Sequence, residues 1–144
     1  MDKELLIAIC DRLKNNVPSL RWIDAEEGQL EVRERPPVAF PCALVDISYV
    51  SCKTYAGGGQ QVKANIVIRV AFQRVTASSN ASAPMPARLC ALSRFDTLNA
   101  IHKALQWWNG DGLFNPLRRL RAIPEKRSGD IRVWNMTYET EFMD

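Results

Sequence analysis

His102 is the only imidazole in this chain, and that scarcity leaves little acid–base or metal chemistry to expect. It sits between Ile101 and Lys103 in a helical pattern, with no nucleophile motif beside it. A structural or surface role is therefore expected, with no catalytic centre. The four cysteines, Cys10, Cys42, Cys52 and Cys90, include no Cys-x-x-Cys pair, whereas structural zinc sites bring their ligands in close pairs. Reduced thiols filling core space are expected, Cys10 and Cys90 on apolar helical stripes, with no metal and no cofactor. No apolar run approaches the roughly 18 residues of a membrane span, so no membrane partner is expected. The charged start Met1-Asp2-Lys3-Glu4, before the short apolar Leu5 to Cys10, does not build a secretory signal and predicts a cytosolic chain. Charge of one sign is scarce too. Nineteen Lys and Arg against sixteen Asp and Glu leave +3, too little to mark a nucleic-acid binder by net charge.

What is present is enough for one folded domain. A chain of 144 residues with 47% hydrophobic and 24% charged content has globular composition. At that length it buries roughly two-thirds of its unfolded surface without staples. Leu5, Ile9, Leu13 and Val17 recur every four residues, predicting a helix over 3–17 that Pro18 ends. Leu20 to Ile23 and Gln29 to Val32, around a turn ending at Gly28, predict a small hairpin. Arg33-Glu34-Arg35-Pro36-Pro37 interrupts it, since prolines avoid central strands. Ala43 to Val50 is nearly continuous in apolar and β-branched residues, the pattern of a strand covered on both faces. Val62, Ala64, Ile66, Ile68, Val70 and Phe72 alternate with their neighbours and predict a long strand with one buried face.

The span 51–61, containing Gly57-Gly58-Gly59, is expected to be a long flexible hairpin tip. It lacks the Lys-Ser/Thr and following helix of a phosphate-binding loop. The Ser-, Ala- and Pro-rich span 76–86 predicts a mobile linker. Leu89, Leu92, Phe95, Leu98, Ile101, Leu105 and Trp108 predict a second helix over 88–108. Of Trp107 and Trp108, one ring is expected in the core and the other at a rim, because adjacent helix positions point about 100° apart. Leu117 to Ile123 reads as a further strand. Ile131 to Phe142 reads as the last one, with Trp134, Met136, Tyr138, Thr140 and Phe142 on one face and Arg132 sharing their parity. The prediction is a single α+β domain over 1–144. An antiparallel sheet carries two helices on one face, in the order α-β-β-β-α-β.

Basic residues concentrate between 116 and 132, where Arg118, Arg119, Arg121, Lys126, Arg127 and Arg132 face only Glu125 and Asp130. Two readings stay open. One is a solvated edge strand guarded by charge. The other is a surface for an anion, either nucleic acid or a partner's carboxylates. A small nucleic-acid-binding module built on Arg118 to Arg132 would follow from the latter, although no aromatic interleaves the cluster as a stacking platform.

The segments Ala39-Phe40-Pro41-Cys42-Ala43-Leu44-Val45-Asp46-Ile47, Lys63 to Phe72, Phe95 to Leu105 and Trp134 to Phe142 together resemble the tail terminator proteins of long-tailed phages, the lambda minor tail protein U type. Phe40-Pro41-Cys42-Ala43 and the alternating strand after it carry the resemblance most specifically. Cys42 between Pro41 and Ala43 and the triple glycine depart from the family pattern. The resemblance implies a virion structural protein of a phage or prophage and no enzyme. Such a subunit assembles in the host cytoplasm into a homo-oligomeric ring, typically a hexamer, on the end of the tail tube. There it ends tail polymerisation and forms the head–tail joining surface. The implied partners are further copies of itself, the tail tube protein, a head-completion or neck protein, and transiently the genome DNA. Other neck-completion proteins share such folds, so another joint of the connector is the alternative. Tyr55, Gly57, Gly58 and Gly59 would then form an assembly arm. Arg118, Arg119 and Arg121 would face the channel or a neighbouring subunit.

Overall fold

The computed structural model describes every residue except Arg33 and Thr76, the first residues of the Pro-rich interruption and of the linker, which lie outside the described residues. The fold is α+β. Helix α1 (Asp2–Asn16) starts with Asp2 and Glu4, which favour the positive end of its dipole, and buries Leu5, Ile9 and Leu13 completely. Strand β1 (Trp22–Ala25) follows, then β2 (Cys42–Thr54) and β3 (Gln60–Gln73), helices α2 (Met85–Ala91) and α3 (Ser93–Leu105), and strands β4 (Arg118–Pro124) and β5 (Ile131–Met143). The strands form one sheet in the order β1-β2-β3-β5-β4.

Antiparallel pairing joins β2 to β3, β3 to β5 and β5 to β4, but β1 runs parallel to β2, so the sheet is mixed. The hairpin expected from Gln29 to Val32 does not form. Gln29 folds back, its amide donating to Ala25 O at 2.9 Å and its carbonyl accepting from Glu27 N at 2.8 Å. Gln29–Glu31 becomes a single 3₁₀ turn that buries Leu30. Leu30 belongs to a small cluster with Val38, Cys42, Leu44, Ala71 and Val133. That cluster explains the apolar start of β2: Cys42 to Val45 are covered on both faces, and alternation sets in beyond them.

The main core lies on the other face. The predicted alternation on β3 is present, and Val62, Ala64, Ile66, Ile68 and Val70 are fully buried against α1 and α3. Met136, Tyr138 and Phe142 of β5 join them. Burying a side chain of that size contributes about 1.5–3 kcal/mol, so this stripe dominates the fold.

The second helix departs from expectation. It breaks at Leu92, where the backbone leaves helical values and Ser93 Oγ donates to Cys90 O at 2.9 Å. The stripe before the break faces out, with Met85, Leu89 and Cys90 all exposed. The expectation of Cys90 in the core is thereby corrected, and Cys52 is exposed too. Cys10 is half-buried and Cys42 buried, and burial pushes both thiols up to about 11. Met85 and Pro86, expected in the linker, form the first turn of α2. Helix α3 ends at Leu105, so Trp107 and Trp108 lie beyond it. Their opposite fates come from the left-handed backbone at Trp107 and not from helical spacing. Trp107 is 68% exposed, while Trp108 meets Phe114 edge to face at 5.4 Å.

Candidate functional site

The hairpin tip is shorter and tighter than its composition suggests. Ser51 to Thr54 and Gln60 to Lys63 pair in register, so only residues 55–59 remain as turn. Tyr55 N donates to Gly59 O at 2.8 Å and Gly58 N to Tyr55 O at 3.0 Å, with Gly57 and Gly58 at positive φ. Glycine is needed there because a Cβ resists that conformation. The span 51–61 is thus a closed turn on a paired ribbon. Polar strand ends give no apolar alternation, so their pairing left no mark in the sequence. Tyr55 stands exposed on the turn, its hydroxyl donating to Gln61 Oε1 at 2.7 Å.

The basic cluster does not gather into one patch. Strand β4 is the sheet's outer edge and is exposed along its whole length. Arg118 lies opposite Glu139 and donates to its Oε1 at 2.9 Å, and Lys63 Nζ sits 3.1 Å from the same oxygen. Arg119 lies opposite Tyr138, on the helix side, and its N–H donates to Gln106 Oε1 at 2.9 Å. A bulge at Leu120 then returns Arg121 to Arg118's face, opposite Thr137. Arg127 donates to Leu30 O at 2.9 Å, and Arg132 lies at a separate groove. One sequence cluster therefore supplies three places.

That groove is a concavity of about 700 Å³ between the start of α3 and the end of β3. Phe40, Pro41, Phe72, Ala91 and Thr97 line its floor, and Arg74, Arg94, Asp96 and Arg132 its rim. Arg94 is half-buried, donates to Ala91 O at 2.6 Å and lies 4.6 Å from the Phe95 ring centre. Burial, and then the charge of Arg132, hold its guanidinium below the usual arginine value. Among the described residues, no carboxylate lies within 4.0 Å of Arg74, Arg94 or Arg132. The sequence reading missed this groove. Its one signal was Arg132, a charge on the buried parity of the last strand.

His102 Nδ1 lies 3.0 Å from Tyr138 Oη, and Tyr138 is fully buried. Burial, with Arg119 second, lowers the imidazole's affinity for a proton below its ordinary value of 6.5. The unfolded chain therefore binds the proton more readily, and stability contributed by neutral His102 is lost as pH falls through about 6.5. Thermal melts between pH 7.5 and 5.5 are expected to show a decline that His102→Gln flattens. An unchanged slope in that variant would remove His102 from the account.

No group of three or more His, Cys, Asp or Glu is arranged to hold a metal ion among the described residues. No helix among them is long and apolar enough to cross a membrane. The groove lining includes Ser79, Cys90 and Ser93, with Asp96 as its carboxylate and no histidine. Compared with protein-family models and with curated proteins, the sequence matches none.

Proposed function

We propose that the chain is a structural subunit of a phage tail, a terminator-type protein that closes into a homo-oligomeric ring on the tail tube. It ends tube growth there and presents the joining surface to a head-completion protein. The observation that carries this reading is the open edge of the sheet. Strand β4 has a strand neighbour on one side only, its outer edge met by the Gln106 side chain at Arg119 N, with Leu120 50% and Ile123 53% exposed. At the other edge, β1 covers only four residues of β2. A sheet open at both edges suits contacts between different surfaces of identical subunits, which propagate until a ring closes. The resemblance of the Phe40-Pro41-Cys42-Ala43 lead-in and the long strand after it supports the same class. In this reading the protein needs no cofactor and works in the virion tail after assembly in the host cytoplasm.

Arg118 is already paired with Glu139 within its own chain, and this reading does not make the three arginines of β4 the glue of the ring. Mass measurement in solution, at rising protein concentration and with millimolar magnesium, is expected to show a closed oligomer. The Arg118→Ala, Arg119→Ala, Arg121→Ala triple variant is expected to assemble as the wild type does. A wild-type chain that stays monomeric under all conditions while binding DNA with steep salt dependence would replace this reading by the nucleic-acid module.

A further inference from the structure

Two concavities meet at Arg94 and Arg132. Both side chains line the groove, and both also line a smaller cavity of about 120 Å³ at the connection between β4 and β5. Arg127, Glu125, Ile131 and Trp134 stand around that cavity with them. Its size suits a single charged group. The groove beside it, at about 700 Å³, falls in the range of about 300–1,000 Å³ that holds the body of a small molecule.

Three guanidinium groups and one carboxylate line the smaller cavity, and the carboxylate is already engaged elsewhere. Both oxygens of Glu125 accept from Arg69 at 2.9 Å, and Arg127 Nη1 comes only within 3.7 Å of one of them. Arg127 Nη2 donates to Leu30 O, while its Nε is buried with no hydrogen-bond partner among the described residues. Neither Arg94 nor Arg132 has a carboxylate within 4.0 Å among them, Asp96 and Asp130 included. The two also repel each other: after burial, the charge of Arg132 is what lowers Arg94. A guanidinium does not shed its proton to relieve this, because its pKa lies above about 12. An anion relieves it, and the oxygens of a phosphate group accept from several guanidinium donors at once.

We propose that the cavity between Arg94, Arg127 and Arg132 binds the phosphate group of a small phosphate monoester, whose apolar body lies on the groove floor of Phe40, Pro41, Phe72 and Ala91. The charge count favours phosphate. Even with Glu125 counted in full, three cations leave two positive charges, which a monoester of about −1.5 to −2 matches and a single carboxylate does not. Asp96, on the groove lining, repels a second anionic group there, so the ligand is charged at one end only. The site lies within one chain and stands apart from the ring reading.

Calorimetric titration of the whole chain, in chloride at fixed ionic strength, tests the site with two phosphates. Phenyl phosphate is expected to bind saturably and at least about tenfold more tightly than inorganic phosphate, because its ring covers part of the apolar floor. Phenol, the same ring without the charge, is expected to give no saturable heat. Arg132 is exposed, so Arg132→Gln is expected to keep the wild-type circular dichroism and to weaken phenyl phosphate at least about tenfold, the scale of one lost charge-assisted bond. Arg94→Gln is expected to act the same way, and it decides should Arg132→Gln disturb the fold. Arg121→Gln, on the β4 edge, is expected to leave binding unchanged. Three outcomes would each overturn the proposal. One is no saturable binding of either phosphate, and another is phenyl phosphate bound no more tightly than inorganic phosphate. The third is an equal loss in Arg121→Gln and Arg132→Gln, which would reduce the effect to the general attraction of a basic surface.

Discussion

Replacing Arg69 by methionine is expected to destabilise the domain by about 3 kcal/mol, because it leaves Glu26 and Glu125 poorly solvated, with only Arg127, 3.7 Å from Glu125, in place of the lost cation. Arg69 lies mid-strand on the face away from α1 and α3. Its Nε and Nη2 donate to the two oxygens of Glu125 at 2.9 Å each, and its Nη1 donates to Glu26 Oε1 at 3.0 Å. Glu31 Oε1 sits 2.7 Å from Nη2. The Arg69 side chain is 14% exposed, Glu26 17% and Glu125 25%, so water screens the cluster only partly, while Glu31 at 58% contributes little. These bonds hold Arg69 charged against the cost of its burial, above the usual arginine value. Removing the cation frees the loop after β1, the 3₁₀ turn and the β4–β5 connection together. A fall in melting temperature of roughly 10 °C is expected for a domain of this size. Adding Glu26→Gln and Glu125→Gln to Arg69→Met is expected to recover much of it. A single variant that melts within about 2 °C of wild type would show that the cluster is solvated well enough to stand without its arginine.

That cluster also shows where sequence legibility ends. Residues whose burial follows a period were readable: Leu5, Ile9 and Leu13 on α1, the even positions of β3, and Met136, Tyr138 and Phe142 on β5. Each stripe reports a single face turned to a single core. Arg69 is merely one of the polar residues between those stripes, and nothing local marks Lys63 as a neighbour of Glu139 or Arg69 as the partner of Glu125. These pairs are set by strand register, which the sequence does not state. The second helix failed for a related reason. Leu89 continues the helical stripe of Leu98 and Ile101, but the sheet no longer lies beneath it once the chain turns at Leu92. An apolar period predicts a face and cannot say what covers it. The same limit applies to the candidate sites. The tip glycines and the β4 arginines were visible as composition, whereas the groove unites residues from five stretches of the chain, and only Arg132 was out of place in its own pattern.

Gly110→Ala is expected to cost about 2–4 kcal/mol, combining backbone strain with overpacking. Gly110 has φ of 61°, and a Cβ there would lie 2.5 Å from Phe114 Cε1 and 2.9 Å from Cζ. Phe114 has little room to yield. It is 4% exposed and meets Trp108 edge to face, while Arg12 lies over that indole at 5.2 Å and donates from Nε to Ala104 O at 2.8 Å. A displaced Phe114 therefore disturbs the join between α1, the end of α3 and the turn that follows it. Gly112→Ala is the control: its φ is also positive, at 92°, but nothing lies within 4 Å of an added Cβ. That variant should lose only the conformational part, about 1 kcal/mol. Chemical denaturation gives both costs, and near-ultraviolet circular dichroism reports Trp108 separately, a signal that Gly110→Ala should change and Gly112→Ala should leave alone. Equal losses in the two variants would mean that the turn relaxes away from Phe114, and that the positive backbone angle alone demands glycine at 110.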